Sequence, residues 1–532
     1  MTVRAAVVGS GPNGLVAACL LARSGWEVTV YEQAEVPGGA VRSGELLADG
    51  VLSDYGASVF PFRGSSLAFE KLPLEDYGLR WAVPEIAAAH GIDGAQPGHS
   101  GSSSRPGAPV LLHQDIDLTA EGLGRDADRW RQIFGPVVEN WSEVGRAALT
   151  PPTRPFSNGG GESPLRRIHA YLQLGGRGAW SANALNRAFR EERSRAFFAG
   201  LAGHATMPLS NPLSAAFGVM MGATGHVTGW PFARGGSGEV TRALTQDLQA
   251  HGGELRTGFE VTGIKDVALS GARRGVRRNL KRRGYQIEGN TAAGARRRRR
   301  SSTEVADVVL LDLTPAQLLQ MDGLHMPQRY RRAMRRWDYG PAVVKVDYLV
   351  DGPIPWAREE LGRAGTVHLG GSAAQLAGAE SAVARGVLPG RPYVLLTQPS
   401  VADPSRTGDH RHAVWAYAHV PQGTSASAAQ RAAQLVDAEI ERQAPGFRSE
   451  LLARCVWTPQ QLESWNPNLV GGAISGGSPT LGQFVSRPAA PLEPYTSGME
   501  AIYLCSSSTP PGGGSHGMSG YNAAQRVLRE YA

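Results

Sequence analysis

The sequence contains little cysteine. Its 532 residues include three cysteines, Cys19, Cys455 and Cys505, widely spaced and without a C-x-x-C pair. An odd and scattered set of this kind argues against a disulfide framework and against a zinc site. We therefore predict no metal site, and a reducing cytoplasm is the expected location.

A long apolar stretch is also missing. The sequence has no run of 18 apolar residues, and an apolar strand pattern begins within its first few residues. Neither a membrane span nor a signal peptide is expected. Hydrophobic residues still make up 42% of the chain, which is enough for large buried cores.

Positive charge is concentrated in one segment. The formal net charge is +7, but residues 265–300 hold 13 basic and two acidic residues, a local net charge of +11 that leaves the rest of the chain at −4. We interpret residues 265–303 as a basic, mobile, solvated insertion. Peripheral contact with an anionic membrane surface is the alternative role, and no nucleic acid partner is expected.

The stretch "VVGSGPNGLVAACLLARSGWEVTVYE" (7–32) carries the first functional motif. Gly9, Gly11 and Gly14 follow an apolar strand at the spacing G-x-G-x-x-G, a helical pattern runs to Gly25, and a second strand ends in Glu32. This βαβ unit predicts a bound dinucleotide, with a pyrophosphate at the helix N-terminus and Glu32 on a ribose. Three further residues complete the turn: Ser10, Pro12 and Asn13.

Later segments are predicted to return to this unit. Gly38 and Gly39 follow Glu32 closely, and Arg42 is near enough in sequence to reach a phosphate. After "GGSGEV", a helical pattern leads to a strand at residues 254–256 that we expect to extend the N-terminal sheet. The apolar run 305–312 has the pattern of a buried parallel strand.

The C-terminal stretch "AIYLCSSSTPPGGGSHGMSGYNAAQRVLREYA" repeats the glycine spacing at Gly512, Gly514 and Gly517. Only one helix fits after it, so a second βαβ unit cannot form. An open glycine loop before a helix N-terminus suits an electron-rich group such as a flavin ring. Cys505 raises covalent flavin attachment, but an apolar strand ends at this residue, so a non-covalent flavin is expected.

Five blocks together resemble the phytoene dehydrogenase-like FAD-dependent oxidoreductases, in particular the branch named for a pyridine nucleotide-disulfide oxidoreductase domain. They are "GSGPNGL", "YEQAEVPGGAVRS", "GGSGEVTRAL", "LLDLTP" and "YLCSSSTPPGGGSHGMSGYNAA". The resemblance runs from end to end. Disulfide chemistry is not implied, because no C-x-x-C pair is present.

The resemblance implies an α/β fold in which a Rossmann-like FAD-binding domain is assembled from discontinuous segments and an α+β substrate domain covers the flavin, as in phytoene desaturases and amine oxidases. The expected boundaries are 1–74, 231–324 and 496–532 for the FAD domain, and 75–230 and 325–495 for the substrate domain. By match of motif, the ADP half of FAD is expected at the N-terminal glycines, Glu32, Gly38, Gly39 and Arg42, with Val261 at the adenine. Gly513, Gly514 and Met518 are expected at the flavin.

Three histidines are the candidate bases for the chemistry: His204, His226 and His516. A flavin dehydrogenation needs a hydride acceptor and often a base, and the cofactor itself supplies the acceptor. His516 lies in the glycine loop and is the best placed of the three. A structural, hydrogen-bonded role is the alternative for His204 and His226.

The expected activity is oxidation of a C–C or C–N bond in a sizeable, mostly apolar or natural-product substrate, with electrons passing to oxygen, a quinone or another acceptor. Ten of the eleven tryptophans lie in the expected substrate segments, and aromatic walls suit apolar guests. The same residues could also simply fill a core. A flavin-dependent amine oxidase, a non-redox isomerase and a regulatory FAD-binding module are the alternative functions.

Overall fold

The computed structural model describes residues 2–93, 107–151, 179–268, 283–291, 299–489 and 494–531, together with Gly176. The strands are β1 Arg4–Val8, β2 Glu27–Tyr31, β3 Ser43–Glu45, β4 Leu52–Asp54, β5 Trp81–Ala82, β6 Ile86–His90, β7 Val110–Leu112, β8 Phe232–Ala233, β9 Glu254–Arg256, β10 Phe259–Ala268, β11 Arg283–Thr291, β12 Arg299–Ala306, β13 Val308–Leu311, β14 Ala342–Val350, β15 Ala364–Leu369, β16 Val394–Thr397, β17 His412–Val420, β18 Leu451–Trp457 and β19 Ile502–Leu504.

Helices occur along the whole described chain. They are α1 Pro12–Arg23, α2 Leu67–Lys71, α3 Ile116–Gly122, α4 Ala127–Glu139, α5 Trp141–Ala148, α6 Ala182–Asn186, α7 Glu192–Gly203, α8 Ser214–Thr228, α9 Gly238–Ala250, α10 Pro315–Gln320, α11 Gln328–Arg335, α12 Ala373–Ala384, α13 Pro399–Ala402, α14 Ala426–Gln443, α15 Pro459–Trp465, α16 Leu481–Val485 and α17 Met518–Tyr531.

A five-stranded parallel sheet holds the N-terminal motif. Its order is β19-β13-β1-β2-β9, so strands from three distant parts of the chain pair side by side. Helix α1 packs against α9 and α17, and Leu15, Leu244 and Val527 share their core. Because parallel strands are buried on both faces, β13 consists of four buried apolar residues. This sheet confirms the Rossmann-like fold class.

An antiparallel sheet of three strands, β10-β11-β12, occupies part of the basic insertion. Tyr285 and Ile287 on β11 are buried in the core that also contains Val8 and Phe259. Residues 283–291 and 299–303 therefore form paired strands where we expected a mobile loop, and Tyr285 and Ile287 anchor β11 in that core. Residues 269–282 and 292–298 lie outside the described part of the chain.

A mixed seven-stranded sheet, β18-β14-β17-β16-β15-β6-β7, forms the second large layer. Its strands come from residues 86–112 and 342–457, within the expected substrate segments. Strand register places Thr366, Thr397, Trp415 and Asp347 in one row across the sheet. Helices α4, α7 and α8 pack into a core at one end of this sheet.

No helix within the described residues is long and apolar enough to cross a bilayer. This finding agrees with the absence of a long apolar run in the sequence.

Candidate active site

The turn between β1 and α1 is tightly packed. Gly9 has a φ of 98°, a conformation that favours glycine. A Cβ built on Gly11 would lie 2.5 Å from Oδ2 of Asp312, and one built on Gly39 would lie 3.0 Å from the Cα of Gly11. Ser10 and Asn13 are buried in the same turn. The structure therefore brings the two predicted glycine segments together around one crevice.

Glu32 lies at the end of β2 and faces this crevice. Its Oε2 accepts hydrogen bonds from the backbone N–H and the hydroxyl of Ser10, at 2.9 and 2.7 Å, and its Oε1 accepts one from the N–H of Ala34 at 2.8 Å. These bonds hold the carboxylate in one orientation. A carboxylate has about four acceptor positions, so one is left for a ribose hydroxyl.

Arg42 also lines the crevice, and each of its three nitrogens already donates one hydrogen bond. Nε donates to the carbonyl of Gly39 at 2.9 Å, Nη2 donates to the carbonyl of Trp465 at 3.2 Å, and the guanidinium lies 4.4 Å from the centre of the Trp465 ring. Burial lowers the pKa of Arg42. These contacts indicate that Arg42 holds the crevice wall together. They fit this role better than they fit phosphate binding.

We define the nucleotide crevice as the pocket lined by Gly9, Gly11, Glu32, Gly39, Arg42, Val261 and Asp312 and their neighbours. Three of its further lining residues, Glu260, Asp322 and Asn468, were not predicted. Val261 lines the crevice from β10, next to a register shift. Gly38 lies behind it, where its N–H donates to the carbonyl of Ser10 at 3.1 Å.

Asp312 is the residue of the crevice that sequence reasoning missed most clearly. Its Oδ2 accepts a hydrogen bond from the N–H of Gly14 at 3.0 Å, in the first turn of α1. Burial, together with the nearby Glu32 carboxylate, raises the pKa of Asp312 to about 7. The signal was available in "LLDLTP", because an acid that directly follows a buried parallel strand lies at the carboxyl edge of the sheet.

The C-terminal loop lies beside the start of α1. The N–H of Gly520 donates to Oδ1 of Asn13 at 3.4 Å. Met518, the first residue of α17, is buried, and its N–H donates to Nδ1 of His516 at 3.1 Å. The Ser66 hydroxyl donates to the carbonyl of His516 at 2.6 Å. These bonds fix the glycine loop beside α1.

A cavity of about 360 Å³, which we name the large cavity, adjoins the crevice. Gly513, Gly514 and His516 form one wall, and the seven-stranded sheet forms another through Lys345 and Trp415. The cavity meets the crevice at neighbouring residues, since Gly39 lines the crevice and Ala40 lines the cavity. Most of the remaining lining is apolar or aromatic, for example Phe60, Phe62, Met220, Met221, Leu395 and Tyr417.

Tryptophans divide between the cavity and the cores. Trp230 and Trp415 line the large cavity. Trp130 instead stacks on Phe134 and Phe197 in the helical core, where Trp141 is also buried. Both expected roles for the aromatic residues are therefore realised, at different positions.

The structure brings two of the three candidate histidines to the cavity. His204 lines it, and its Nε2 lies 2.9 Å from Nε2 of His368. Burial lowers the pKa of His204 to about 3 and that of His516 to about 4. Both imidazoles are therefore neutral at pH 7 and are weak bases.

His226 does not reach the cavity. Its Nε2 accepts a hydrogen bond from the Trp130 indole N–H at 3.0 Å, and its Nδ1 lies 2.9 Å from the carbonyl of His113. Both ring nitrogens are thus used within the helical core. These contacts favour the structural, hydrogen-bonded role that we considered for His226 over the role of a base, because the ring does not line the cavity.

The Cys505 thiol is fully buried at the end of β19. Burial raises its pKa well above the ordinary value, with a smaller effect from Asp312. A protonated, enclosed thiol is a poor nucleophile, which favours the packing role over covalent attachment.

Two family models match this chain. Residues 7–70 match an NAD(P)-binding Rossmann-like domain, and residues 167–528 match the flavin-containing amine oxidoreductases. The chain belongs to the flavin-containing amine oxidoreductase family. It is accordingly an FAD-dependent oxidoreductase.

Individual relatives agree with this family assignment. Pyridine nucleotide-disulfide oxidoreductase domain-containing protein 2 of Rattus norvegicus is 25% identical over 575 residues, covering 99% of this chain and 93% of that protein. Hydroxyneurosporene desaturase of Rubrivivax gelatinosus is 26% identical over 290 residues, covering 51% of this chain and 50% of the desaturase. A solved structure of putrescine oxidase bound to putrescine, 16% identical, has a TM-score of 0.59 and covers 100% of this chain and 99% of that one. The first two confirm the resemblance and the third the fold.

The residues present in this amine oxidoreductase fit FAD. Gly11 and Gly39 have no side chains, and a Cβ added at either residue would crowd the space between them. A diphosphate requires such close access to the backbone. The crevice and the large cavity lie side by side, since Gly39 lines the first and Ala40 the second, and this proximity suits an extended dinucleotide.

Proposed function

We propose that the chain is a desaturase-type dehydrogenase that removes a hydride from a C–C or C–N bond of a sizeable, mostly apolar substrate. One observation supports this most: the large cavity, which lies beside the nucleotide crevice, is lined mainly by apolar and aromatic side chains. A cavity of this composition suits an apolar guest positioned by few polar groups. Oxygen, a quinone or another acceptor would take the electrons.

The proposed cofactor contacts follow from the crevice. Gly9, Ser10, Gly11, Pro12, Asn13 and Gly14 would hold the diphosphate through backbone N–H groups, and Glu32 would accept from the ribose. Gly38, Gly39 and Arg42 would form the opposite wall, with Val261 at the adenine. Gly513, Gly514 and Met518 would lie against the flavin, whose N5 accepts the hydride when FAD is bound and non-covalently held.

Within the cavity, the protein's task is to position the substrate and to exclude water. His204 and His516 are neutral, so each can donate or accept one hydrogen bond but removes a proton poorly. The desolvated walls around them keep bulk water from the reacting carbon. A dehydrogenation removes a hydride and also a proton from the substrate. That proton would leave through a group other than these two imidazoles.

The amine oxidase alternative is disfavoured by the charges of the cavity. Among the described residues that line it, there is no aspartate or glutamate. A protonated amine would therefore enter a desolvated space without a carboxylate partner, which is costly. The face of Trp415, which could attract a cation, already lies 5.3 Å from the ammonium of Lys345.

Anaerobic mixing with candidate substrates tests the proposal. The absorbance band of the bound flavin at roughly 450 nm should decrease with neutral polyene or terpenoid compounds, because this band is lost when the cofactor is reduced. Polyamines and alkyl amines form the matched comparison set. Bleaching only by amines would support the amine oxidase, and turnover without bleaching would support the isomerase.

A further inference from the structure

The charged side chains of the large cavity are all basic within the described lining: Arg63, Lys345 and Arg487. Two of them are compensated. Arg63 pairs with Glu75 at 2.8 Å on the exposed rim, and the Lys345 ammonium contacts both carboxylate oxygens of Asp347 at 2.5 and 2.6 Å. The remaining cation, Arg487, has a different environment.

Arg487 is 4% exposed and has no carboxylate partner among the residues that the structure describes. Its Nη2 donates to the carbonyl of Ser507 at 3.1 Å and to that of Gly477 at 3.4 Å. Its Nε is buried without an acceptor, and no acceptor among the described residues meets Nη1. A Cβ added to Gly512 would lie 3.1 Å from Nη1, so this nitrogen lies beside the glycine loop.

A buried guanidinium without a counter-ion is expensive to maintain. The cost of desolvating a charge is offset when an opposite charge and good hydrogen bonds are brought to it. Burial lowers the pKa of Arg487 to about 10, so the side chain is still charged at neutral pH. Trp337, whose ring centre lies 5.4 Å from the guanidinium carbon, contributes a weaker cation–π contact.

We infer that Arg487 is the binding site for an anionic oxygen group of the substrate, so that the substrate is an apolar molecule with one carboxylate-type end. The inference rests on the proposed function and specifies its substrate class. Arginine suits this role because its planar donors match the oxygens of a carboxylate. The anion would be held at the part of the cavity lined by Gly477, Arg487 and Gly513, with the apolar body along the aromatic walls.

Binding to the FAD-loaded protein tests the inference with three probes of one chain length: decanoate, decan-1-ol and decylamine, followed by perturbation of the flavin spectrum. The wild-type protein should bind decanoate at least tenfold more tightly than decan-1-ol, and decylamine most weakly. R487Q should remove the preference for decanoate. R487K, which keeps the charge, should retain an intermediate preference, and R63Q should change the preference less than threefold because Arg63 is already paired.

Three results would overturn the inference: no preference for decanoate in the wild type, a preference that survives R487Q, or the full wild-type preference in R487K. The R487K measurement still tests the inference if R487Q does not fold. Glu493, which lies outside the described residues, is the next acid along the chain, so E493Q is measured in parallel and should leave the preference unchanged. Tighter decanoate binding by E493Q would show that Arg487 already has a counter-ion.

The reduced flavin is another source of negative charge near the glycine loop, and a second measurement separates it from the substrate. The midpoint potential of bound FAD is determined for the wild type and R487Q. A lower potential in R487Q with an unchanged decanoate preference would assign Arg487 to the flavin and overturn the inference. A protein whose flavin is bleached by no substrate, but which still selects decanoate, would instead contradict only the proposed function.

Discussion

The nucleotide crevice and the large cavity adjoin each other but carry opposite charges. Four carboxylates line the crevice, those of Glu32, Glu260, Asp312 and Asp322, with one cation, Arg42. The described lining of the cavity has three cations and no carboxylate. The crevice is nevertheless the part that fits the anionic cofactor. Side-chain charge alone would have assigned the anionic diphosphate to the large cavity instead of the crevice.

The difference arises from which atoms build each space. In the crevice, backbone N–H groups at the start of α1 and glycines without side chains fit a diphosphate, and the Glu32 carboxylate faces the expected ribose. In the cavity, side chains from distant segments form most of the lining outside the glycine loop, so its charge and much of its shape belong to those side chains. We expect the crevice to be sensitive to added atoms and the cavity to changes in charge.

Filling the glycine gap should have the largest effect. Gly11→Val should abolish FAD binding, because its Cβ would lie 2.5 Å from Oδ2 of Asp312 and its methyl groups would enter the space beside Gly39. The ratio of flavin to protein absorbance after gel filtration measures this. Gly390→Val is the matched control, since nothing lies within 4 Å of a Cβ there. A yellow G11V protein would contradict the assignment of the crevice.

Removing an ionisable group from the crevice should have the next largest effect, and its sign depends on pH. Burial raises the pKa of Asp312 from 3.8 to about 7, so the folded protein holds this proton more tightly than the unfolded chain does. The free energy of unfolding should therefore fall as pH rises between about 4 and 7, by up to about 4 kcal/mol, and the loss should persist above pH 7.

Asp312→Asn isolates this contribution. The variant keeps an oxygen for the N–H of Gly14 and cannot ionise, so it should match the wild type near pH 4 and be more stable at pH 8. Thermal unfolding midpoints between pH 5 and pH 8.5 provide the comparison. The exposed Asp49→Asn variant is the control and should follow the wild type. Parallel curves for D312N and the wild type would refute a raised pKa.

Changing the ribose acceptor should have a smaller effect. Glu32→Ala should weaken FAD retention by about 1 to 3 kcal/mol, because a buried hydroxyl of the ribose and the N–H of Ser10 lose their acceptor. Fluorescence of released flavin after dialysis reports the loss. Glu27→Ala, on the exposed start of the same strand, should retain FAD as the wild type does. Equal retention by both variants would remove Glu32 from the site.

The same contrast explains what the sequence could predict. Glycine spacing and a terminal acid are local signals, so the βαβ unit and the strand at residues 254–256 were predicted correctly. Lys345 and Arg487 reach the cavity through pairing between segments far apart in the chain, which no local pattern encodes. For the same reason the sequence left both a catalytic and a structural role open for His226. Composition also misled us in the insertion, where the buried positions of β11 alternate with polar residues.

The basic insertion belongs to neither space, which gives the smallest expected effect. Replacing Arg296, Arg297 and Arg298 by glutamine should leave FAD content unchanged and alter the free energy of unfolding by no more than about 0.5 kcal/mol, because a run of arginines lacks the apolar pattern that a core requires. Decanoate preference should also be unchanged, because the described cation of the cavity without a carboxylate partner is Arg487.

Co-sedimentation with vesicles that contain anionic lipid then tests the alternative role of the insertion, contact with a membrane surface. Each arginine near such a surface contributes about 1 kcal/mol, so a membrane-binding insertion would lose most of its affinity on triple substitution, whereas an insertion without a role would show the same weak sedimentation in both proteins. A change in FAD content would show that these arginines influence FAD binding in the crevice, contrary to this expectation. The insertion does reach the crevice wall through pairing, because Val261 on β10 pairs with Gly289 on β11.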